Sequence, residues 1–248
     1  MNVIGVIPAR YASTRFEGKV LANLLGKPMI QYVWERAKQS KLLDDLIIAC
    51  DDERVEKVAK EFGAKVVSTA KEHSSGSDRL TEIVHGVDVK IIVNIQADEP
   101  LIHFTMIDDV SRALLEDNSL VMSTLVKKIY NKDEYLDSNV VKVVVDKNGF
   151  ALYFSRAPIP YLREQKNKEF NFAYKHIGLY AYTKDFLFTF KNLPVSKLEN
   201  LEKLEQLRVL EAGYKIKVLE TKYDTVGVDT PEDLGKVEQL LRKSKRDD

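Results

Sequence analysis

A single cysteine in 248 residues removes two kinds of architecture at once. Cys50 has no second thiol with which to form an internal disulfide and no companions for a thiolate metal cluster; closing the apolar run Leu46-Ile47-Ile48-Ala49, it reads as a buried core thiol. Net charge is missing too. The 38 Lys plus Arg balance 38 Asp plus Glu, so no overall field draws nucleic acid or an anionic membrane, and any phosphate site must come from local clustering. No apolar run approaches the roughly 18 residues of a membrane-spanning helix. The opening Val3-Ile4-Gly5-Val6-Ile7 is too short for a signal h-region and leads to Arg10 rather than to a small-residue cleavage site. The expectation is a cytoplasmic chain with no membrane insertion, no nucleic-acid partner and small-molecule substrates. Neither a Walker A loop nor a G-x-G-x-x-G turn is present, nor any repeat or low-complexity stretch ahead of the charged tail from Arg242 to Asp248. A chain of this length buries roughly 70 to 75% of its unfolded surface, enough for one large core.

What is present alternates. Val3 to Ile7, Leu46 to Cys50, Lys65 to Thr69 and Ile91 to Gln96 are short runs rich in Val and Ile, as strands covered on both faces should be. Between them Ile30, Val33, Trp34 and Ala37 repeat at helical spacing, as do Val55, Val58, Ala59 and Phe62, and Leu80, Ile83, Val84 and Val87. The pattern predicts an α/β fold: a Rossmann-like, mostly parallel sheet with helices on both faces. From about residue 120 the texture changes. Val140 to Asp146 and Phe150 to Ser155, joined by Lys147-Asn148-Gly149, read as a hairpin that begins a smaller β-containing insert. Ser196 with Glu199 fits a capping box, opening a helix that carries Leu198, Leu201, Leu204, Leu207 and Leu210 and ends near Gly213. A strand from Lys215 to Glu220 and a terminal helix follow, the helix with Thr230 as N-cap and Pro231 at its first position. Residues 1–120 and 215–248 would then be the core of a single domain, with residues 121–214 as the insert.

Three cations, Arg10, Arg15 and Lys19, follow the first strand, in the loop Pro8-Ala9-Arg10-Tyr11-Ala12-Ser13-Thr14-Arg15-Phe16-Glu17-Gly18-Lys19. Ligands bind at the carboxyl ends of strands in open α/β sheets. The loop is either a polyphosphate cradle, with main-chain N–H groups adding donors, or a solvated basic loop. Asp98, in Gln96-Ala97-Asp98-Glu99-Pro100 after the fourth strand, is a metal ligand or a turn residue before proline. Asp229, in Gly227-Val228-Asp229-Thr230-Pro231, is its metal-binding partner or part of a helix cap. Two carboxylates with phosphate oxygens and water suit Mg2+. With no cation between them such acids repel, so replacing either by Asn should leave the metal-free fold as stable or more stable. His73-Ser74-Ser75-Gly76-Ser77-Asp78-Arg79 opens the third helix and either meets a nucleobase or phosphate or merely caps that helix.

Taken in order, these segments resemble the 3-deoxy-manno-octulosonate (Kdo) cytidylyltransferases over nearly the whole chain. The likeness rests on Ile7 to Arg15, Gly18-Lys19, His73 with Ser75-Gly76 and Arg79, and Asn94 to Pro100. It continues through Ala151-Leu152-Tyr153-Phe154-Ser155-Arg156, His176-Ile177-Gly178-Leu179-Tyr180, Leu204-Glu205-Gln206-Leu207-Arg208 and Gly227 to Leu234. The resemblance implies CMP transfer from CTP to Kdo for lipopolysaccharide assembly, by a Mg2+-dependent homodimer. It implies Pro8, Ala9, Arg10, Ser13, Arg15 and Lys19 along the nucleotide, Ser75, Gly76, Ser77 and Arg79 near cytosine, and Asp98 and Asp229 on the metal. It also implies a sugar-acid pocket of Gln96, Tyr153, Arg156, His176, Tyr180, Glu205 and Gln206. A guanidinium fork matches a carboxylate, which makes Arg156 the candidate partner of the sugar acid. Arg10, Lys19, Asp98 and Asp229 are the catalytic candidates. The family commonly has Gly where Ala97 stands, Thr where Ser77 stands, and Leu-Pro where Phe16-Glu17 stand.

Overall fold

The β-branched runs form strands and the segments of helical period form helices, each where its side chains find apolar cover. The computed structural model describes residues 1–13, 15–70, 76–163 and 173–247. In chain order it begins with β1 (Val3–Ala9), a 3-10 turn (Lys19–Leu21), the small hairpin β2 (Asn23–Leu24) and β3 (Lys27–Pro28), and α1 (Met29–Ala37). Next come β4 (Asp45–Cys50), α2 (Glu53–Glu61), β5 (Lys65–Ser68), α3 (Gly76–Val84), β6 (Ile91–Asn94) and α4 (Phe104–Glu116). The remainder is β7 (Met122–Lys128), α5 (Lys132–Leu136), β8 (Lys142–Val145), β9 (Ala151–Ser155), β10 (Tyr174–Thr183), α6 (Lys184–Asn192), α7 (Lys197–Glu202), α8 (Gln206–Glu211), β11 (Lys217–Glu220) and α9 (Pro231–Asp247). By contact density the chain divides into a unit of Met1–Asp108 with Tyr223–Asp248 and a unit of Asp109–Lys222.

In the first unit the strands run parallel in the order β6-β1-β4-β5. The chain moves outward from β1 through β4 to β5, then returns to the other side of β1 for β6. Loops leaving β1 and β6 therefore diverge, and the crevice between their carboxyl ends is the switch point at which such sheets bind ligands. Every residue of β1 is buried except the half-buried Pro8, and β6 is buried throughout. A second apolar cluster of Leu24, Met29, Val228, Val237 and Leu241 ties α9 to this unit, with Phe16 and Leu234 packed against it.

In the second unit β7 pairs antiparallel with β10 and parallel with β11, while β8 pairs antiparallel with both β10 and β9. The expected hairpin is β8 and β9, turning at Gly149 with φ +78°. The leucine-rich helix differs from expectation. The Ser196–Glu199 capping box forms, but Lys203 takes a left-handed conformation (φ 55°, ψ 46°) and separates α7 from α8. Leucines spaced by three fall behind the helical repeat by about 60° at each step, so five of them cannot share one stripe of a straight helix. The break lets Leu204 and Leu207 enter the core while Leu201 stays 70% exposed.

Candidate active site

A pocket of about 420 Å³ occupies the crevice beyond β1 and β6. Pro8, Arg10, Ala12, Ser13 and Lys19 line it from the β1 side, and Gln96, Ala97 and Asp98 from the β6 side. A second hollow of about 580 Å³ is lined by Asp51, Asp52, Glu53 and Glu56 together with Arg54, Ser68 and Thr69, so acids outnumber cations there. The smaller crevice carries two cations, Arg10 and Lys19, in its lining.

The loop from Arg10 to Lys19 is held closed by its own backbone and by what packs under it. The Gly18 N–H donates to the Tyr11 carbonyl at 2.9 Å and the Lys19 N–H to the Phe16 carbonyl at 3.2 Å. Gly18 has φ +66°, and a Cβ there would lie 3.0 Å from the Tyr11 ring, so only glycine fits without displacing the tyrosine. The guanidinium of Arg54 lies 3.4 Å from the Tyr11 ring centroid while its fork is bound to Asp52, the N-cap of α2. Phe16, where the family has Leu, anchors the loop on the α9 cluster, and Glu17 is exposed outside the pocket lining. Ala97 keeps a negative φ, since among the described residues only Leu25 and Lys203 have positive φ without being glycine.

Lys19 joins the two acids. Its ammonium donates to Asp98 Oδ2 at 2.6 Å and to Asp229 Oδ1 at 2.9 Å, and Arg15 reaches Asp229 Oδ2 at 2.8 Å. Burial alone would lower the Lys19 pKa, but the charges and hydrogen bonds of Asp98 and Asp229 outweigh it and hold the ammonium above its ordinary value. The chain is tied at the same place: the Val228 N–H donates to the Asp98 carbonyl at 2.9 Å, setting the residue before one acid against the other. Capping falls to a different carboxylate. Asp233 Oδ2 accepts from the Thr230 N–H at 3.2 Å and hydroxyl at 3.1 Å, and Thr230 Oγ1 accepts from the Asp233 N–H at 3.3 Å. This reciprocal box leaves the Asp229 side chain to the cations. The bridging ammonium also reverses the expectation that the two acids merely repel when no metal is present.

Arg79 is fully buried, with Nη2 donating to Asp51 Oδ2 at 2.7 Å and Nη1 to Thr69 Oγ1. It braces the carboxyl ends of β4 and β5 instead of presenting its charge to solvent. Ser77 is buried on the same turn of α3. Gly76 begins that helix, and Ser75, the remaining candidate there, lies outside the described residues.

In the second unit His176 sits edge-on to Phe154 and beside Tyr180, with Nε2 at 2.9 Å from Thr124 Oγ1. The residue is half-buried, and desolvation of the ring pushes its pKa down to about 3. It is a neutral hydrogen-bonding group, not a cation. Tyr153 and Arg156 are brought together by Glu202, whose carboxylate accepts from the Tyr153 hydroxyl at 3.5 Å, the Ser155 hydroxyl at 2.6 Å and the Arg156 N–H at 2.9 Å. Glu205 and the buried Gln206 open α8, which packs on β9. Gln96 lines the crevice of the first unit. Glu202 and Asp233 are the organising acids that sequence reading passed over. Asp233 carried a local signal, three residues after Thr230 at a helix start; Glu202 carried none.

Known proteins resemble the chain over nearly its whole length. The family model described as "Cytidylyltransferase" matches residues 4–216. The 3-deoxy-manno-octulosonate cytidylyltransferase of Geotalea uraniireducens is 50% identical over 251 residues, covering 98% of this chain and 100% of that protein. The protein of the same name from Geobacter sulfurreducens is 47% identical over 250 residues, with 98% and 100% covered. The chain belongs to the 3-deoxy-manno-octulosonate cytidylyltransferases. A solved CMP:2-keto-3-deoxy-manno-octonic acid synthetase complexed with CTP superposes on this cytidylyltransferase with a TM-score of 0.92 at 42% identity, covering 98% of this chain and 100% of that one. A cytidylyltransferase from Leptospira borgpetersenii, at 17% identity and TM-score 0.65, shares the fold alone. The α/β expectation stands. No helix among the described residues is long and apolar enough to cross a membrane.

Proposed function

We propose that this enzyme transfers CMP from CTP to the anomeric hydroxyl of Kdo, releasing pyrophosphate. The observation that carries the reading is the meeting of Lys19, Asp98 and Asp229 at the mouth of the β1/β6 crevice, in a chain half identical to cytidylyltransferases of that name. CTP places its phosphates along Pro8, Ala9, Arg10, Ser13, Arg15 and Lys19, and its base near Ser75, Gly76 and Ser77. Arg79 supports that end through Asp51 and Thr69. The hydroxyl attacks the α-phosphorus in line, a new P–O bond forms as the bond to the β-phosphate oxygen breaks, and the hydroxyl proton passes to solvent. Arg10 and Lys19 neutralise charge gathering on the leaving pyrophosphate. The sugar acid is held by Gln96, Tyr153, Arg156, His176, Tyr180, Glu205 and Gln206.

A divalent ion, Mg2+, fits Asp98 and Asp229. Both acids already direct a hard oxygen at one cationic centre, and Mg2+ asks for one or two carboxylates with waters and phosphates rather than a full protein cage. When bound it lowers the pKa of the attacking hydroxyl and screens the phosphate oxygens. Asp98 and Asp229 would hold the ion, and the Lys19 ammonium that now bridges them lies beside the place where the phosphates would be bound. We further assign a cytoplasmic homodimer. Leu201, Leu152 and Val195 are 70, 61 and 59% exposed on the second unit, and a partner surface would cover them. Pyrophosphate release from CTP should require Kdo; release with a hexose 1-phosphate in its place would overturn the acceptor.

A further inference from the structure

Arg156 is fixed at four points by groups outside its own strand. Its N–H donates to Glu202 Oε2 at 2.9 Å and its Nε to the Glu202 carbonyl at 2.8 Å. Nη1 donates to the Ser138 carbonyl at 3.1 Å, and the Arg156 carbonyl accepts from Lys142 Nζ at 2.7 Å. Among the described residues no protein acceptor meets Nη2.

Lys142 is 0% exposed, and its ammonium also donates to the carbonyls of Asp137 at 2.7 Å and Val140 at 2.5 Å. All three of its N–H groups thus end on main-chain oxygens, two in the segment that leads into β8 and one on Arg156 itself. An ammonium is costly to desolvate, and an apolar side chain of similar length would fill the same space without that penalty. Such a side chain would not, however, draw three carbonyls to one point. Glu202 closes the arrangement from the other side. As the last residue of α7 it has a carbonyl that lies outside the helix ladder, because the chain turns left-handed at Lys203, and Arg156 Nε takes up that acceptor.

We propose that Lys142 and Glu202 are positioning residues for recognition of the sugar acid, holding Arg156 so that its Nη2 edge meets the substrate carboxylate. This rests on the reading of Arg156 as the carboxylate partner. A fork held to within a fraction of an ångström binds a carboxylate at two points, and one left to sample rotamers does not.

The test is steady-state kinetics on the full-length enzyme carrying Lys142→Met, Glu202→Gln or Arg156→Ala, and on the double variant of Glu202→Gln with Arg156→Ala, varying Kdo and CTP in turn. Lys142→Met and Glu202→Gln should each raise the Kdo KM by roughly tenfold or more with the CTP KM within about twofold, and Glu202→Gln should add little in the Arg156→Ala background. Equal rises in both KM values, an unchanged Kdo KM in Glu202→Gln, or additive effects in the double variant would overturn the proposal. An Arg156→Ala enzyme with parental Kdo KM would instead overturn the assignment of Arg156 itself. If Lys142→Met does not fold, Glu202→Gln and the double variant decide.

Discussion

Lys19 stands between Asp98 and Asp229, and its place there sets how each acid responds to replacement. The side chains of Lys19, Asp98 and Asp229 are 13, 29 and 42% exposed, so each ion pair is partly screened and worth about 1 kcal/mol or less. Asp98→Asn or Asp229→Asn should therefore lower the melting temperature of the metal-free protein slightly instead of raising it, as scanning calorimetry would report. Turnover is another matter: the same changes should reduce pyrophosphate release by about a hundredfold or more, since they remove a principal anchor for charge on the transferring phosphate. A parental rate in both variants at limiting Mg2+ would show that neither acid holds the metal. Gly18→Ala is a sharper local probe. The new methyl would meet the Tyr11 ring in a left-handed backbone, so a loss of about 1 to 2 kcal/mol in urea unfolding and a raised CTP KM are expected.

Among the elements, the division of the leucine-rich segment into α7 and α8 separates core from surface. Leu204 and Leu207 are buried, whereas Leu201 is open to solvent on α7. Leu201→Asp should give a folded monomer by sedimentation at working concentration, because the carboxylate would be buried without a partner in an interface but solvated in a monomer. A variant that stays dimeric would place the interface elsewhere. Leu207→Asp should instead unfold the second unit, seen as loss of its near-ultraviolet circular dichroism. The two outcomes distinguish an interface face from a core face, which share one leucine pattern in the sequence.

At the scale of the whole molecule, His176 makes stability depend on pH. Its folded pKa, near 3, lies below the ordinary 6.5, so the folded state binds fewer protons than the unfolded chain between those values. The associated stability is fully present above pH 6.5 and is lost as pH falls toward 3. The carboxyls held low in the folded state, such as Glu35 and Glu202 with ordinary values of 4.5, contribute stability that is present above 4.5 and is lost only as pH falls below it. From pH 6.5 to 4.5 the unfolding free energy should fall by up to about 1.4 kcal/mol per pH unit on account of this ring. His176→Gln should flatten that slope in urea titrations, and an unchanged slope would show that the imidazole is accessible to protons.

Class and chemistry were legible in the linear chain because each depends on local order. Val- and Ile-rich runs such as Val3 to Ile7 can only be covered strands, periodic apolar residues such as Ile30, Val33, Trp34 and Ala37 can only be faced helices, and Thr230-Pro231 writes its own cap. The run from Ile7 to Arg15 and the motif from Gly227 to Leu234 likewise carry the family in their order. What the tertiary structure alone decided are the meetings between distant segments: the Val228 N–H on the Asp98 carbonyl, Lys19 between two acids, Arg79 turned inward to Asp51, and Glu202 beneath Arg156. Capping, turn and metal-binding carboxylates are the same residue type at similar spacings, so only the partner brought up by the fold tells them apart. The break at Lys203 belongs with these, because whether five leucines share one face depends on the surfaces they must pack against, and those come from strands far away in the chain.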